Sequence, residues 1–519
     1  MKRWGQRMFR QVGLVGLVGV LSTVSQLGCD YSCYSDLTCS LGTAGTAGSN
    51  GAERCPDPAN GSIEADCGIW VSASLGDDAN TGTPDAPLKT LGAAILLAQK
   101  GPQRIYACSE TYEERLSLPA GVSLFGGFEC AGGWSYVGGD NRARIAPSEP
   151  GVALNLAEGQ GVSLLRDIAV TAKDAMGAGE SSIAILALPG SNADLRRSRI
   201  TAGNGARGAD GADGKHDGEH AKGGLNGNNG VGACAAAFGL GGDSVFLSCD
   251  DGSSSMGGNG GNGGEMFAND GADGVVAPTP NPQGFGLGGA GEASLPCTGG
   301  LSGAEGQDGA HGEASSSKGR LTQQGYLGAD GADGQHGFPG QGGGGGGASR
   351  GKATCGGALH GGPGGGSGGT GGCGGRGGKG GQAGGSSIGI ALLGTSLYIE
   401  DSYIVTGNGG DGGNGGVLQP GGQGGLPGIG GAGFGGPDPI NAACVGGGGG
   451  YGGNGGHGAG GHGGHSVFFA VLSSVPFPNL VGLQGGRGTV GVGGHGGDPS
   501  WLQGYGKDGE SEVMVTLDP

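Results

Sequence analysis

Three side chains with oxygen ligands lie within the turn-rich segment Gly76-Asp-Asp-Ala-Asn-Thr-Gly-Thr83. They are Asp77, Asp78 and Asn80. Carboxylate and amide oxygens are the ligands that calcium prefers, so this segment is a candidate calcium-binding turn. The same residue types also form tight turns without any metal, because their side chains bond to nearby backbone N–H groups. Both interpretations stay open, and we assign no metal to the chain.

Histidine is the second residue type that could do chemistry. His457, His462 and His465 are close enough in sequence to share a metal ion, but no carboxylate accompanies them, and the alternative is three exposed histidines. The triplet Gly-His-Gly surrounds His457, His462 and His495, yet in so glycine-rich a chain it is expected by chance. We expect neither a metal site nor a catalytic histidine here.

The pattern Gly-x-Gly-x-x-Gly occurs repeatedly, for example at residues 203–208. A dinucleotide site needs this pattern to open a helix whose N-terminus receives the pyrophosphate. Here the pattern follows the strand-like pair Ile200-Thr201 and leads into more glycine. We therefore expect no nucleotide cofactor, and no other cofactor is indicated.

Glycine dominates the composition. It supplies 140 of the 519 residues, whereas its usual share is about 7 per cent. A collagen helix would require a strict period of three throughout and about 15–20 per cent proline, but only 23 residues are proline. The composition therefore excludes both a collagen triple helix and an ordinary globular core across the whole chain.

The glycine patches have a period of three. Residues 365–382 read Gly-Gly-Ser, Gly-Gly-Thr, Gly-Gly-Cys, Gly-Gly-Arg, Gly-Gly-Lys and Gly-Gly-Gln. A polyproline-II-type helix has three residues per turn, so this run would carry one stripe of side chains and two bare glycine faces. Several such helices side by side can hydrogen-bond laterally. Flexible, disordered linkers are the alternative.

The formal net charge is −18. An acidic chain repels the phosphate backbone, so nucleic acid is not an expected partner.

The N-terminus has the pattern of an export signal. Residues 1–28 contain Lys2, Arg3, Arg7 and Arg10, followed by an apolar run at 13–21 that is too short to span a bilayer. The run ends at Gln26-Leu27-Gly28-Cys29, which resembles the lipobox of bacterial lipoproteins, although that family usually has an aliphatic residue where this chain has Gln26. The resemblance implies that Cys29 is lipidated, so that membrane lipid is a partner.

Cysteine counting agrees with lipidation. There are 13 cysteines, and if Cys29 carries lipid, twelve remain to form disulfides in an oxidising compartment. The connectivity stays open. Those twelve are Cys33, Cys39, Cys55, Cys67, Cys108, Cys130, Cys234, Cys249, Cys297, Cys355, Cys373 and Cys444. Residues 29–66, without apolar periodicity, are expected to be a surface tether with little structure.

Secondary-structure signals begin at Cys67. Ile69-Trp-Val-Ser72 is a strand candidate, and Leu88, Leu91, Ala94, Ile95 and Ala98 recur at helical spacing, with Pro87 suited to the first turn. Many short strands follow up to Ala202 without further helices, which suits a sandwich, barrel or solenoid, and we favour the solenoid.

The segment from Val71 to Leu91, with the Ala-rich helix after it, resembles the entry to right-handed parallel β-helices of the pectin-lyase-like superfamily, particularly a bacterial surface group of unknown function. Pro119-Ala-Gly-Val-Ser-Leu-Phe-Gly-Gly-Phe128 is similar to its next turns. The resemblance covers residues 69–202 and implies a single-stranded β-helix whose first turn is capped by the helix. The glycine patches also resemble mycobacterial PE-PGRS-type proteins, in composition only.

The pectinolytic relatives use motifs that this chain mostly lacks. Polygalacturonase-like enzymes carry Asn-Thr-Asp and Arg-Ile-Lys, and neither triplet occurs here. Asp77-Asp78 is a lone doublet, whereas acid catalysis needs two carboxylates that converge on one bond. We therefore expect no enzymatic activity.

A sequence echo links the strands to the glycine patches. Ser182-Ile-Ala-Ile185 is repeated by Ser387-Ile-Gly-Ile390 and, more loosely, from Ser466. Glycine-rich segments follow each copy, so they are expected to be insertions at one corner of successive turns.

The domain organisation that we predict is a signal (1–28), a tether (29–66), the first part of an all-β parallel β-helix (67–202), a glycine-rich insertion (203–385) and further turns with insertions (386–519). The expected function is that of an exported, lipid-anchored structural or adhesive protein of the cell envelope, at the outer membrane or cell surface. Polysaccharide or other surface components are candidate partners. The alternative is a carbohydrate-binding or carbohydrate-active protein.

Overall fold

The computed structural model describes residues 55–60, 62–214, 220–356, 359–394 and 396–518. The predicted signal and the lipidation residue Cys29 lie outside the described residues, as do Cys33 and Cys39.

Three parallel sheets form the framework. The first contains, in spatial order, β1 (Ile69–Val71), β2 (Arg104–Cys108), β5 (Ser123–Glu129), β9 (Val162–Arg166), β12 (Asn192–Arg196), β21 (Ser396–Glu400) and β24 (Asn479–Val481), with β6 (Ser135–Tyr136) antiparallel to β5. The second contains β3 (Thr111–Tyr112), β7 (Ala143–Ile145), β10 (Ile168–Thr171), β13 (Arg199–Thr201), β22 (Tyr403–Val405) and β25 (Gln484–Gly486). The third contains β4 (Leu116–Leu118), β8 (Val152–Leu156), β11 (Ser182–Ala187), β20 (Ser387–Leu392), β23 (Ser466–Leu472) and β26 (Met514–Leu517).

From β2 onward the main-sheet strands visit the first, second and third sheets in that cyclic order. This arrangement is compatible with a β-helix-like fold, and the chain is all-β apart from one α-helix and short 3₁₀ turns in the described residues. The sequence echo is confirmed by strand register, because Ser182 pairs with Ser387 and Ser387 with Ser466.

The remaining elements are small. Antiparallel pairs join β14 (Phe238–Gly239) to β17 (Gly263–Gly264), β15 (Phe246–Ser248) to β16 (Ser254–Met256), and β18 (Arg320–Thr322) to β19 (Gly325–Leu327). The helix is α1 (Leu91–Ala98), and 3₁₀ turns span Pro58–Asn60, Ala65–Cys67, Ala353–Cys355 and Leu502–Gly504.

The core lies between the three sheets and consists of columns of aliphatic side chains. In the first sheet, paired strands align Ile105, Leu124, Leu165, Leu195 and Ile399. Each of these residues is buried in one shared cluster. Burying such a side chain contributes about 1.5–3 kcal/mol, so a column of similar residues holds neighbouring strands in register.

Helix α1 begins later than the sequence predicted. Thr90, and not a residue near Pro87, is the N-cap, and its side chain accepts a hydrogen bond from Ala93 N. Glu114 accepts from the N–H groups of Leu91 and Gly92 at 2.9 and 2.8 Å. Leu88 instead donates its N–H to Trp70 O, which holds it in extended structure. Through Leu91, Ala94, Ile95 and Ala98 the helix packs on the core.

Three connections from the first sheet to the second contain a residue in the left-handed backbone conformation. Asp167, Arg197 and Asp401 have φ of 54°, 46° and 45°. A left-handed conformation costs a non-glycine residue about 1–2 kcal/mol. Here the N–H of Asp167 donates to Arg196 O, that of Arg197 to Glu400 O and that of Asp401 to Val481 O. Stacking of one corner on the next therefore offsets the strain.

Part of the predicted tether is structured. Cys55 is bonded to Cys67, Ile63 packs against an aromatic cluster around Trp70, and Arg104 Nη1 donates to Cys55 O at 2.6 Å. The expectation of little structure is therefore wrong for the described residues between 55 and 66. The sequence pattern missed it because a disulfide and a cation, not apolar periodicity, hold this segment against the first sheet.

The hairpin β18–β19 attaches the long glycine-rich segment to the framework. Leu321 and Tyr326 are 3% and 6% exposed and join Ile183, Ile388, Val467 and other residues on the outer side of the third sheet in a second apolar cluster. Tyr326 Oη also donates to Lys318 O at 2.6 Å. A face that would otherwise be exposed and apolar is thus covered from within the chain.

Removing the buried leucine of this hairpin should loosen the attachment. Leu321→Ala should lower the free energy of unfolding by about 2–5 kcal/mol, because it removes buried methyl groups and leaves a cavity. Leu327→Ala is the matched control, since Leu327 lies on the same hairpin but is 48% exposed. Thermal unfolding measures both, and equal effects of the two substitutions would contradict the docking role of Leu321.

Candidate functional site

The glycine-rich segments connect the second sheet to the third. They occupy residues 202–386 after β13, 406–465 after β22 and 487–513 after β25. Within them, extended stretches lie side by side, and we call these stretches glycine rows. The rows that matter most here are residues 298–312, 328–347, 361–386, 407–433 and 443–465.

Row 361–386 lies in the interior of this assembly. Gly375, Gly378 and Gly381 donate their N–H groups to Gly453 O, Gly456 O and Ala459 O at 2.8–2.9 Å. On another side, the carbonyls of the same three glycines accept from Gly337, Gly334 and Gly331 at 2.9 Å. Hydrogen bonds therefore recur at every third residue, which is the period that the sequence shows.

The bare faces of this row are contact surfaces. A Cβ atom on Gly371, Gly374 or Gly377 would lie against the carbonyl oxygen of Gly340, Gly337 or Gly334, respectively. Each separation would be below 3.0 Å, a distance that real Cβ atoms essentially never show. The next glycine of each triplet faces another row, as Gly372 faces Gly422 O and Gly378 faces Gly416 O. Glycine is required on both faces because backbone packs directly against backbone.

The third position of each triplet carries the stripe of side chains. Ser367 Oγ and Thr370 Oγ1 accept from the N–H groups of Asn228 and Leu225 at 2.7 Å. Arg376 pairs with Asp250 and Lys379 with Asp333, both at 2.8 Å. The stripe thus bonds to several neighbouring segments.

Asp and Asn residues form ladders across the outer surface of the rows. Each accepts, through its side-chain oxygen, the backbone N–H of a residue in the next row. Examples are Asp210 with Asn414, Asp213 with Val417, Asn226 with Leu426, Asn229 with Ile429, Asn408 with Thr489, Asp411 with Val492 and Asn414 with His495, at 2.7–2.9 Å. The ladders satisfy outward N–H groups that the adjacent rows cannot reach.

Disulfides fasten the rows at three points. Cys234 is bonded to Cys355, Cys249 to Cys373 and Cys297 to Cys444, across sequence separations of 121, 124 and 147 residues. With Cys55–Cys67 and Cys108–Cys130, the prediction of disulfides is confirmed for the ten described cysteines. Closing such long loops reduces the entropy of the unfolded chain.

The candidate calcium turn serves helix α1. Asp78 Oδ1 accepts from the N–H groups of Lys89 and Thr90, and its Oδ2 accepts from Thr90 Oγ1, each at 2.9 Å. Burial acts to raise the pKa of Asp78, but these hydrogen bonds hold it below its usual value. Asp77 accepts from Ala79 N and Asn80 donates to Pro87 O. All three side chains are therefore engaged in the turn and the start of the helix.

The histidines are not the exposed group that we considered. His462 and His465 are 4% and 0% exposed, and His457 is partly buried and stacks on His311 at 5.2 Å between ring centroids. His495 is in edge contact with Tyr505. Sequence alone missed this burial because it follows from rows that pack over the histidines. Among the described residues no cluster of three metal-binding side chains is present.

His465 ties the rows to the framework as a neutral imidazole. Its Nε2 donates to Lys318 O at 2.8 Å, and its Nδ1 accepts from Glu510 N at 2.9 Å. Burial lowers its pKa, and the nearby His462 lowers it further, whereas the bond to Lys318 O and the charge of Glu510 act in the other direction. The ring of Tyr326 lies 5.6 Å away.

The segment 203–208 forms a glycine row and not a nucleotide-binding turn. Gly205 and Gly208 donate their N–H groups to Asn408 O and Asp411 O at 2.8 Å. The N–H groups that would cradle a phosphate are thus used between rows.

A cavity of about 450 Å³ opens on the outer surface of the rows. Its lining includes His220, Glu305, Asp308, Gln423, Tyr451 and Asn454. No motif in the sequence marks any of these residues. The sequence did offer one indication, which is their position within the three-residue period. Glu305 and Asp308 are separated by one triplet, and so are Tyr451 and Asn454.

No protein-family model, curated protein or solved structure matches the chain. Among the described residues, no helix has the length and apolar character to cross a membrane.

Adding one methyl group to an interior glycine should destabilise the rows. Gly374→Ala should cost at least about 1–3 kcal/mol of unfolding free energy, the usual cost of overpacking, because the new Cβ would overlap Gly337 O. Gly435→Ala is the control, since nothing lies within 4 Å of a Cβ at that position. Limited proteolysis and thermal unfolding should separate the two variants. A Gly374→Ala protein as resistant as the control would show that the rows are not packed.

The stability should fall as the pH is lowered through the range in which free histidine titrates. The folded state keeps His465 neutral with a lowered pKa, so the unfolded state binds more protons below about pH 6.5. The contribution of His465 to the unfolding free energy is therefore fully present above that pH and declines toward pH 5.

His465→Gln can make both hydrogen bonds without titrating, so denaturant unfolding from pH 7.5 to 5 should show a shallower decline than in the parent. His457, whose pKa burial also lowers, is unchanged in both. If the unfolding free energies of the parent and of His465→Gln fall in parallel with pH, His465 does not cause the pH dependence.

Proposed function

We propose that the protein is an exported, lipid-anchored structural or adhesive protein of the cell surface, without catalytic activity. In this proposal the framework is a right-handed, single-stranded parallel β-helix of the pectin-lyase-like type. Helix α1 caps its first turn, and the glycine rows are polyproline-II-type insertions at one corner.

The observation that carries this proposal is the lateral hydrogen bonding of the glycine rows. Row 361–386 is bonded to rows on several sides, so backbone polar groups in its interior are satisfied without a large apolar core. Such an assembly offers a broad, stiff surface made of short side chains. A broad and stiff surface suits adhesion or a structural role.

Two further features support export, and a third bears on the partner. The basic and apolar pattern of residues 1–28 and the lipobox-like end at Cys29 are typical of a bacterial lipoprotein. Five disulfides are characteristic of an oxidising compartment. The strongly acidic net charge disfavours nucleic acid as a partner.

The proposal excludes sugar hydrolysis or elimination as the function. The candidate acid doublet is engaged in local hydrogen bonds, with Asp78 at the start of helix α1 and Asp77 in its own turn. His457 Nδ1 accepts from Leu418 N at 3.3 Å, and both nitrogens of His465 have backbone partners. These groups hold the backbone in place, which favours a structural role over the carbohydrate-active alternative.

Cell fractionation tests the anchoring. Cys29→Ser should move the protein from the membrane fraction to the soluble exported fraction, because a single lipidated residue supplies the attachment. Cys33→Ser is the control and should stay with the membrane. Attachment of cells to a surface should fall in the Cys29→Ser strain. Membrane association that survives the Cys29→Ser change would refute the anchor.

A further inference from the structure

The ladder of side-chain acceptors has gaps beside the cavity described above. Row 298–312 presents Ser302, Glu305, Asp308 and His311 to row 443–465, each 146 positions before its counterpart. Asp308 Oδ1 accepts from Asn454 N at 2.6 Å, and His311 Nδ1 accepts from His457 N at 2.9 Å. The equivalent bonds from Tyr451 N to Glu305 and from Gly448 N to Ser302 are not formed.

A second gap lies on the opposite side of the cavity. Asn226 and Asn229 accept from the N–H groups of Leu426 and Ile429, each 200 positions later. The preceding member of that series is Gly223, which has no side chain, and its counterpart Gln423 donates its N–H to no described residue. Two ladders therefore each lack a hydrogen bond beside the same cavity.

These gaps leave hydrogen-bonding groups without a described partner in residues that line one cavity. Tyr451 N and Gln423 N are donors, while the Glu305 carboxylate and the Gln423 side-chain amide make no hydrogen bond to another described residue. The Tyr451 side chain is 55% exposed. The cavity volume of about 450 Å³ lies within the size range of small-molecule sites.

We propose that this cavity binds a pyranose unit of a neutral glycan. One face of a pyranose ring carries C–H groups, which suit the exposed ring of Tyr451. Its hydroxyl groups both donate and accept hydrogen bonds, so they match the free N–H donors and the Glu305 carboxylate together. Glu305, Asp308 and the net charge of −18 disfavour a uronate or phosphate polymer.

The site extends along the row. Outward positions recur every three residues, or about 9 Å in a polyproline-II-type conformation. Two such steps from Tyr451, His457 lies with His311 and Trp501 in a ring cluster, with centroid separations of 5.2 and 5.1 Å. This second aromatic position suits a chain of several sugars better than a single sugar. The inference rests on the proposed surface function and names the ligand of that surface.

Calorimetry on the full-length protein, held in a detergent without a sugar headgroup, tests the proposal. The probes are cellohexaose, laminarihexaose, mannohexaose and N-acetylchitohexaose, with glucose and hexagalacturonate for comparison. At least one neutral hexasaccharide should bind, glucose more weakly and hexagalacturonate not at all. Absence of binding by all four neutral hexasaccharides would overturn the proposal.

Variants locate the binding. Tyr451→Ala should weaken binding about tenfold, while Phe338→Ala, which removes an exposed ring outside this cavity lining, should not. Glu305→Asp keeps the charge but has the side-chain length of Asp308, so it should accept from Tyr451 N, fill the gap and weaken binding. Gly223→Asn should likewise supply an acceptor to Gln423 N, and its Cβ has room, with no atom nearer than 3.6 Å.

Binding that all three cavity variants leave unchanged would overturn the site, even if a glycan binds elsewhere. The result is separable from the test of the proposed function. If no glycan binds but Cys29→Ser releases the protein, the proposed glycan site is wrong and the proposed surface protein stands. If a glycan binds but Cys29→Ser does not release the protein, the proposed glycan site stands and the proposed lipid anchor is wrong.

Discussion

Backbone hydrogen bonding between glycine rows is the constraint on which the rest of the structure depends. The backbone N–H groups of an interior row donate to acceptors outside that row. Row 361–386 does this in several directions at once. Backbones can approach so closely only where no Cβ intervenes, which is why Gly371 faces Gly340 O and Gly372 faces Gly422 O.

The parallel framework supplies the order that the rows need. Its core columns, such as Ile105 with Leu124 and Leu165, hold neighbouring strands in register. Each glycine-rich segment leaves the second sheet and returns to the third, so the rows begin and end at positions that the framework sets. Leu321, Tyr326 and His465 then join rows and framework with apolar contact and hydrogen bonds. The entropy of ordering so much glycine is partly offset in this way.

The outer surface shows what happens where the regular pattern lapses. An Asp or Asn at the right phase satisfies the next row, as Asp308 does for Asn454. A Glu or Gly at the same phase leaves an N–H open, as beside Tyr451 and Gln423. A single extra methylene group or a missing side chain is therefore enough to leave a backbone N–H without its ladder partner beside the cavity.

Much of the architecture follows from patterns that are local in sequence. The recurring short strands predict all-β structure, and the resemblance of residues 69–202 to parallel β-helices predicts that the strands are parallel. The echo of Ser182 at Ser387 and the even number of cysteines beyond Cys29 predict aligned strands and disulfides. The strands depend on the conformation of each segment, which its own residues govern, whereas the echo and the cysteine count are visible because the whole sequence is known.

Other features required the packed structure. The pairing of Cys249 with Cys373, the burial of His462 and His465 and the cavity at Tyr451 each depend on which row lies beside which. The ordered segment at Cys55 depends instead on its disulfide to Cys67 and its hydrogen bond from Arg104. Rows of Gly-Gly-X are nearly identical in sequence, so a hydrogen bond at every third residue can form in many registers and with many neighbours. The framework, the disulfides and the few non-glycine side chains select one arrangement, because they join particular residues that are far apart in the sequence, as the bond between Cys249 and Cys373 does across 124 residues.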